Sequence, residues 1–320
     1  MTASVAAPGS ERVLRALQFT IRRRLDGLLQ GDYAGLRIGP GSEAAEIRPY
    51  RPGEDDVRRI DWNVTARTQV PHVRAPMAEH ELESWVLVDG SASMDFGTAV
   101  MEKRELAAAM VGAIGLITGR PGNRMGVRLL HGGALRRLPA RPARAAAWAA
   151  VRTLVESPRA EPGVDGPLDL GAAISRLIRD HRRPGLRIVV SDFLADGGGT
   201  DRPFGWEQPI RRLAARHDTV AVEVLDPREL DLPEVGMLTL VDPETGRRRD
   251  VQTSSRRLRE RYAAAALAHR GAISAALREA GVAHLILRTD QDWVTDLARF
   301  VRARRRTAAI ARAHARRAAR

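Results

Sequence analysis

Asp89, Ser91 and Ser93 stand at alternate positions where an apolar run breaks, in VLVDGSASMD (86–95). One carboxylate and two hydroxyls on a strand end and its turn converge on a point, and all three are hard oxygen donors. Calcium takes about 6–8 oxygens, more than this set offers. A Mg²⁺ or Mn²⁺ ion that keeps waters and accepts an outside carboxylate suits it better. A second apolar run, LRIVVSDF (186–193), ends in Asp192, placed to complete the set directly or through water.

Other chemistries are excluded by composition and spacing. The chain has no cysteine, which removes disulfides, thiolate nucleophiles and thiolate metal sites. Its one lysine, Lys103, sits in a helical context rather than in GxxxxGK[ST], so there is no P-loop. GPGSEA (39–44) has the outline of a dinucleotide fingerprint, but Pro49 and Pro52 prevent a helix from opening after it. Ser91 stands where an aspartyl-phosphate phosphatase would carry its second aspartate, and neither serine lies in a GxSxG elbow. The histidines show no metal-ligand spacing such as HExxH.

The elements that must position these residues follow from periodicity. Residues 10–30 place Val13, Leu14, Leu17, Ile21, Leu25, Leu28 and Leu29 at helical spacing, and 31–82 read as loops and short strands. Beyond that, strands and helices alternate. SWVLVD (84–89) is an unbroken apolar strand, 103–119 a helix, and 125–140 a hairpin; helices follow at about 142–156 and 169–182. LRIVVSDF, a helix at 205–216, TVAVEVLD (219–226), a hairpin over 237–253, a helix over 254–281, the strand VAHLILRT (282–289) and a last helix complete the pattern. Thr289 and Asp292 are read as the capping box of that last helix. The pattern predicts an α/β fold, a doubly wound, mostly parallel sheet, in which ligand sites gather at the carboxyl ends of strands where the winding reverses. The expected division is an N-terminal helix and irregular extension over 1–82, the α/β domain over 83–305 and a basic tail over 306–320.

The formal charge is +13, and the last twenty residues supply eight arginines and no acid, which leaves +5 for the rest. No aromatic interleaves those arginines, so nucleic acid is not the expected partner. No apolar run reaches the length of a membrane span, and the opening MTASVAAPGSERV has no signal-like core, so a cytoplasmic location is expected.

DGSAS, its preceding strand and the later SDF resemble the metal-ion-dependent adhesion site of von Willebrand factor A-type domains, over about 83–305. The resemblance implies a divalent metal held by Asp89, Ser91 and Ser93, with Asp192 as distal aspartate and an acid of the partner in the last position. The threonine of that site is replaced here by Leu168 in LDLGAAI (168–174), with Asp169 adjacent as a substitute. A second resemblance lies in EIRPYRPGEDDVRRIDWNVTAR (46–67). Arg48, Tyr50, Pro52, Gly53, Asp55, Arg58, Ile60, Asp61, Trp62, Ala66 and Arg67 match the signature of the domain of unknown function 58 family, and the chain resembles its short soluble branch. That resemblance implies a MoxR-type AAA+ ATPase as partner and a joint role in maturing or remodelling a client protein. Read for its own chemistry, the segment is expected to fold back on the α/β domain through Arg–carboxylate pairs with Trp62 buried.

The expected function is therefore a non-enzymatic protein-interaction adaptor with Mg²⁺ or Mn²⁺ at a degenerate adhesion site. A metal-dependent hydrolase using Asp89 and Asp192 is the first alternative, and nucleic-acid association through the tail the second.

Overall fold

The structure is a computed structural model, and it describes residues 23–24, 46–53, 55–75, 82–159, 169–194, 201–242 and 246–318. Most of the N-terminal helix expected over 10–30, and Leu168, lie outside these residues.

Six strands make the main sheet: β3 (Glu83–Asp89), β4 (Arg124–His131), β5 (Ala134–Pro142), β6 (Leu186–Ser191), β7 (Asp218–Leu225) and β10 (Ala283–Arg288). Their order is β10-β7-β6-β3-β4-β5, parallel except for β5, which closes one edge as the antiparallel arm of the β4–β5 hairpin. The chain leaves β3 toward β4 and returns to β6 on the other side. The winding therefore reverses between β3 and β6, the two strands that end at Asp89 and before Asp192.

Helices cover both faces: α2 (Lys103–Ile117), α3 (Ala143–Glu156), α4 (Leu170–Asp180), α5 (Glu207–Ala214), α6 (Arg256–Glu279) and α7 (Trp293–Ala318). The two-residue period of β3 divides its apolar side chains between them. Val86 and Val88 enter the core under α2, α3 and α7, while Trp85 and Leu87 enter the one under α4, α5 and α6. A strand covered on both sides must be apolar at every position, which is why the run is unbroken. Trp85 lies over its cross-strand neighbour Gly126, where a Cβ would come within 2.4 Å of the indole. Its other side is stacked by the His181 ring, with centroids 3.4 Å apart.

The β8–β9 hairpin (Met237–Val241, Arg248–Gln252) and α6 are inserted between β7 and β10. The last helix runs on through the arginine-rich end to Ala318. Asp292 caps it, accepting from the Thr295 amide at 3.4 Å and from its hydroxyl at 2.8 Å; Thr289, expected to share that cap, donates instead to Asp226. Among the described residues no helix is long and apolar enough to cross a membrane.

The signature segment holds the short strands and loops expected, with a helix between them. β1 (Glu46–Pro49) pairs with β2 (His72–Ala75), with α1 (Trp62–Thr68) between them. Two of its aspartates serve as local caps: Asp56 accepts from the Arg58 amide, and buried Asp61 accepts from the amides of Asn63 and Val64. Trp62, expected to be buried, is 69% exposed. It is the first residue of the short α1, whose opening turn Asp61 caps.

Candidate functional site

The turn after β3 is built by sterics. The Gly90 amide donates to the Leu130 carbonyl at 2.7 Å, and a Cβ at Gly90 would sit 2.9 Å from that oxygen. Only glycine lets the chain leave the sheet this close to β4. A 3-10 turn over Ala92–Asp95 follows, which buries Ser93 and leaves Ser91 half-buried.

The four expected residues are brought together. Asp89 and Asp192 project from adjacent parallel strand ends, both buried, at 6% and 1% exposure. The Ser91 amide donates to Asp89 Oδ1 at 3.0 Å, the hydroxyls of Ser91 and Ser93 lie 3.1 Å apart, and Ser93 hydrogen-bonds Asp192. Burial, and then the charge of Asp192, push the Asp89 carboxyl up to about 6.

Several groups that sequence reasoning did not single out complete the site. Ser191, wholly buried, donates to Asp89 Oδ2 at 2.6 Å and accepts from the Phe193 amide at 2.9 Å. Lys103, also wholly buried, donates from Nζ to Asp192 Oδ2 at 2.8 Å and to Glu229. Burial opposes charge on both Lys103 and Asp192, but their mutual attraction, with Glu229 also acting on the lysine, outweighs it. The lysine is held above its usual range and the aspartate below. Arg270 extends the network, donating to the Asp192 carbonyl at 2.8 Å and to Glu223 at 3.1 Å; Glu223 also meets His284 Nε2 at 2.7 Å. Beside it, buried Asp226 accepts from the Thr98 and Thr289 hydroxyls at 2.6 and 2.8 Å. One signal for Lys103 was present in the sequence: it is the single lysine among 52 basic residues.

These residues do not fit a divalent cation as they are arranged. Each carboxylate oxygen of Asp89 and Asp192 already has an internal donor, since Asp192 Oδ1 accepts from the Leu194 amide at 3.1 Å. Asp169, the substitute for the missing threonine, is held as the N-cap of α4 by the Ala172 amide. The larger obstacle is charge. A divalent ion drawn to Asp192 would stand beside the Lys103 ammonium, which already donates to that carboxylate at 2.8 Å, and the like charges would repel. Among the described residues no group of three or more His, Cys, Asp or Glu is placed to hold a metal elsewhere.

A doubly wound sheet with DxSxS at its switch point defines a von Willebrand factor A-like α/β protein. Within that class the chain belongs to the family described as protein of unknown function DUF58, which it matches over residues 46–272. Uncharacterized proteins of Mycobacterium bovis (Mb1516) and Mycobacterium tuberculosis (Rv1480) are each 47% identical over 301 residues, 94% of this chain and 92% of theirs. The solved structure of BatB from Bacteroides thetaiotaomicron is similar at 12% identity and a TM-score of 0.38, over 70% of this chain and 99% of that one. The von Willebrand factor A domain of SpRpn10 is similar at 12% identity and a TM-score of 0.34, over 68% and 93%.

Proposed function

We propose that the protein is a non-enzymatic interaction module that contacts a MoxR-type AAA+ ATPase, or the client they share, through the face above β3 and β6. One observation carries this reading: the charged groups are sealed beneath the DxSxS turn, while the loop beside them is exposed and partly apolar. Asp89, Ser93, Lys103 and Asp192 are all under 7% exposed, whereas Phe96 and Val100 are 39% and 86% exposed. A hydrolase needs its carboxylates open to substrate, with a base beside them. Here the carboxylates shape a rigid floor and the adjoining loop offers the contact, a buried ionic base under an apolar tip.

The ATPase as partner rests on the family signature over 46–67. The test is recovery of that ATPase by the tagged full chain. Val100→Glu puts a charge on the exposed loop without touching the core, and it should lower recovery about tenfold, the effect of losing roughly 1.4 kcal/mol of contact. Asp89→Ser, which removes the carboxylate that orders the turn, should lower it while the domain stays folded. Equal recovery with both variants would place the contact elsewhere.

A further inference from the structure

We propose that the Lys103 ammonium is the resident cation of the DxSxS site, a tethered positive charge standing where the fold's resemblance implies a divalent metal, so that the site is complete without one. Four observations carry this.

The first is position. Lys103 is the first residue of α2, where the helix dipole and the free amides favour an anion and disfavour a lysine. Local helix energetics therefore do not explain it, and acidic Glu102 and Glu105 already form the capping box of that helix. The second is burial. Its side chain is 0% exposed, and lysine is almost never fully buried unless paired. The third is the partner set. Nζ bonds Asp192, the distal aspartate of the site, at 2.8 Å, and also Glu229 from the 3-10 turn after β7 (Pro227–Glu229). Asp192 in turn bonds Ser93, so a chain of direct contacts runs from Lys103 to the DxSxS serines. The fourth is residue type. In a chain whose other 51 basic residues are arginines, the one lysine occupies this spot. A compact ammonium with tetrahedral donors can stand among convergent oxygens as a metal ion does, and a planar guanidinium cannot.

The consequence is a site whose shape does not depend on metal supply. The cation arrives with the fold and holds β6 and the turn after β7 to α2 permanently. This inference is independent of the partner, because its test uses the chain alone.

The experiment measures melting temperature and calorimetric binding of the full chain with millimolar Mg²⁺, with millimolar Mn²⁺ and in chelator. The wild type should melt at the same temperature in all three and bind neither ion. Lys103→Met leaves Asp192 and Glu229 facing each other and should melt roughly 10 °C lower. That variant should regain part of the loss with Mn²⁺ or Mg²⁺, because the ion takes the vacated position. The double variant Lys103→Met/Asp192→Asn, which relieves the excess negative charge, should be more stable than Lys103→Met and indifferent to metal. It keeps the inference testable should the single variant not fold. Wild-type binding of either ion that Asp89→Ala abolishes would overturn the proposal. So would a Lys103→Met variant as stable as the parent, or a double variant less stable than the single one.

Discussion

Replacing Ser191 by alanine tests whether the site is held from below. The Ser191 hydroxyl lies at 0% exposure and joins two strand ends, donating to Asp89 Oδ2 at 2.6 Å and accepting from the Phe193 amide at 2.9 Å. Alanine changes volume little, so the cost is polar: a carboxylate oxygen and an amide lose their partner where water does not reach. Each orphaned buried group costs about 1–3 kcal/mol, and part is recovered because the hydroxyl itself no longer needs desolvation. A net loss of about 3 kcal/mol results, or a fall of roughly 6–12 °C in melting temperature for a domain of this size. Losing that bond also removes one of the interactions that lower the Asp89 pKa, so its carboxyl should titrate above 6. Thermal melts followed by circular dichroism, with Ser91→Ala as comparison, provide the assay. Ser91 is half-buried and its hydroxyl, which contacts Ser93 and Asp89, remains within reach of water, so its loss should cost about 1 kcal/mol. Equal melting temperatures for Ser191→Ala and Ser91→Ala would refute the argument that the site is anchored through β6.

Two further outcomes are expected. Trp62→Ala should leave the unfolding free energy within about 0.5 kcal/mol of the parent, because 69% of that residue already faces water; a loss of several kilocalories per mole would mean that the signature segment packs as the sequence suggests. Stability should also decline as pH drops from about 6.5 toward 4. Burial, and then neighbouring arginines, hold His181 and His217 at about 4, so the unfolded chain binds more protons across that window. Asp89, raised to about 6, works in the opposite direction, which leaves a net loss on the order of 3 kcal/mol. Urea melts at pH 7 and pH 4.5 measure it, and equal midpoints would show that the two imidazoles are not sealed as drawn.

The parts of this molecule legible in the sequence are those governed by local rules. Two-sided burial makes β3 and β6 unbroken apolar runs, and a strand that ends in aspartate at a switch point announces a site, so Asp89, Ser91, Ser93 and Asp192 could be read directly. What completes the site is set by long-range register. Lys103 reads as an ordinary helix start until α2 is docked beside β6, and Glu229 and Arg270 come from an inserted stretch whose approach no periodicity encodes. Ser191 was hidden by its neighbour, because the aspartate beside it drew the chemical reading. Trp62 differs from its expectation for a related reason: an aromatic among alternating charges suggests burial, whereas Asp56 and Asp61 cap local turns and leave Trp62 at the start of a short exposed helix.

The antiparallel edge strand limits how the protein can meet others. A free sheet edge is a template for another chain's backbone, and β10 and β5 are the two edges here. Along β5, Arg136, Arg137 and Arg141 are exposed, and Pro139 and Pro142 lack the amide that a further strand would need. A neighbour approaching that side meets repelling guanidinium groups and gaps in the hydrogen-bond ladder. Copies of this chain at high concentration are thereby kept from stacking β5 to β5 into a continuous ribbon, a safeguard against self-assembly written into the hairpin that borders the site.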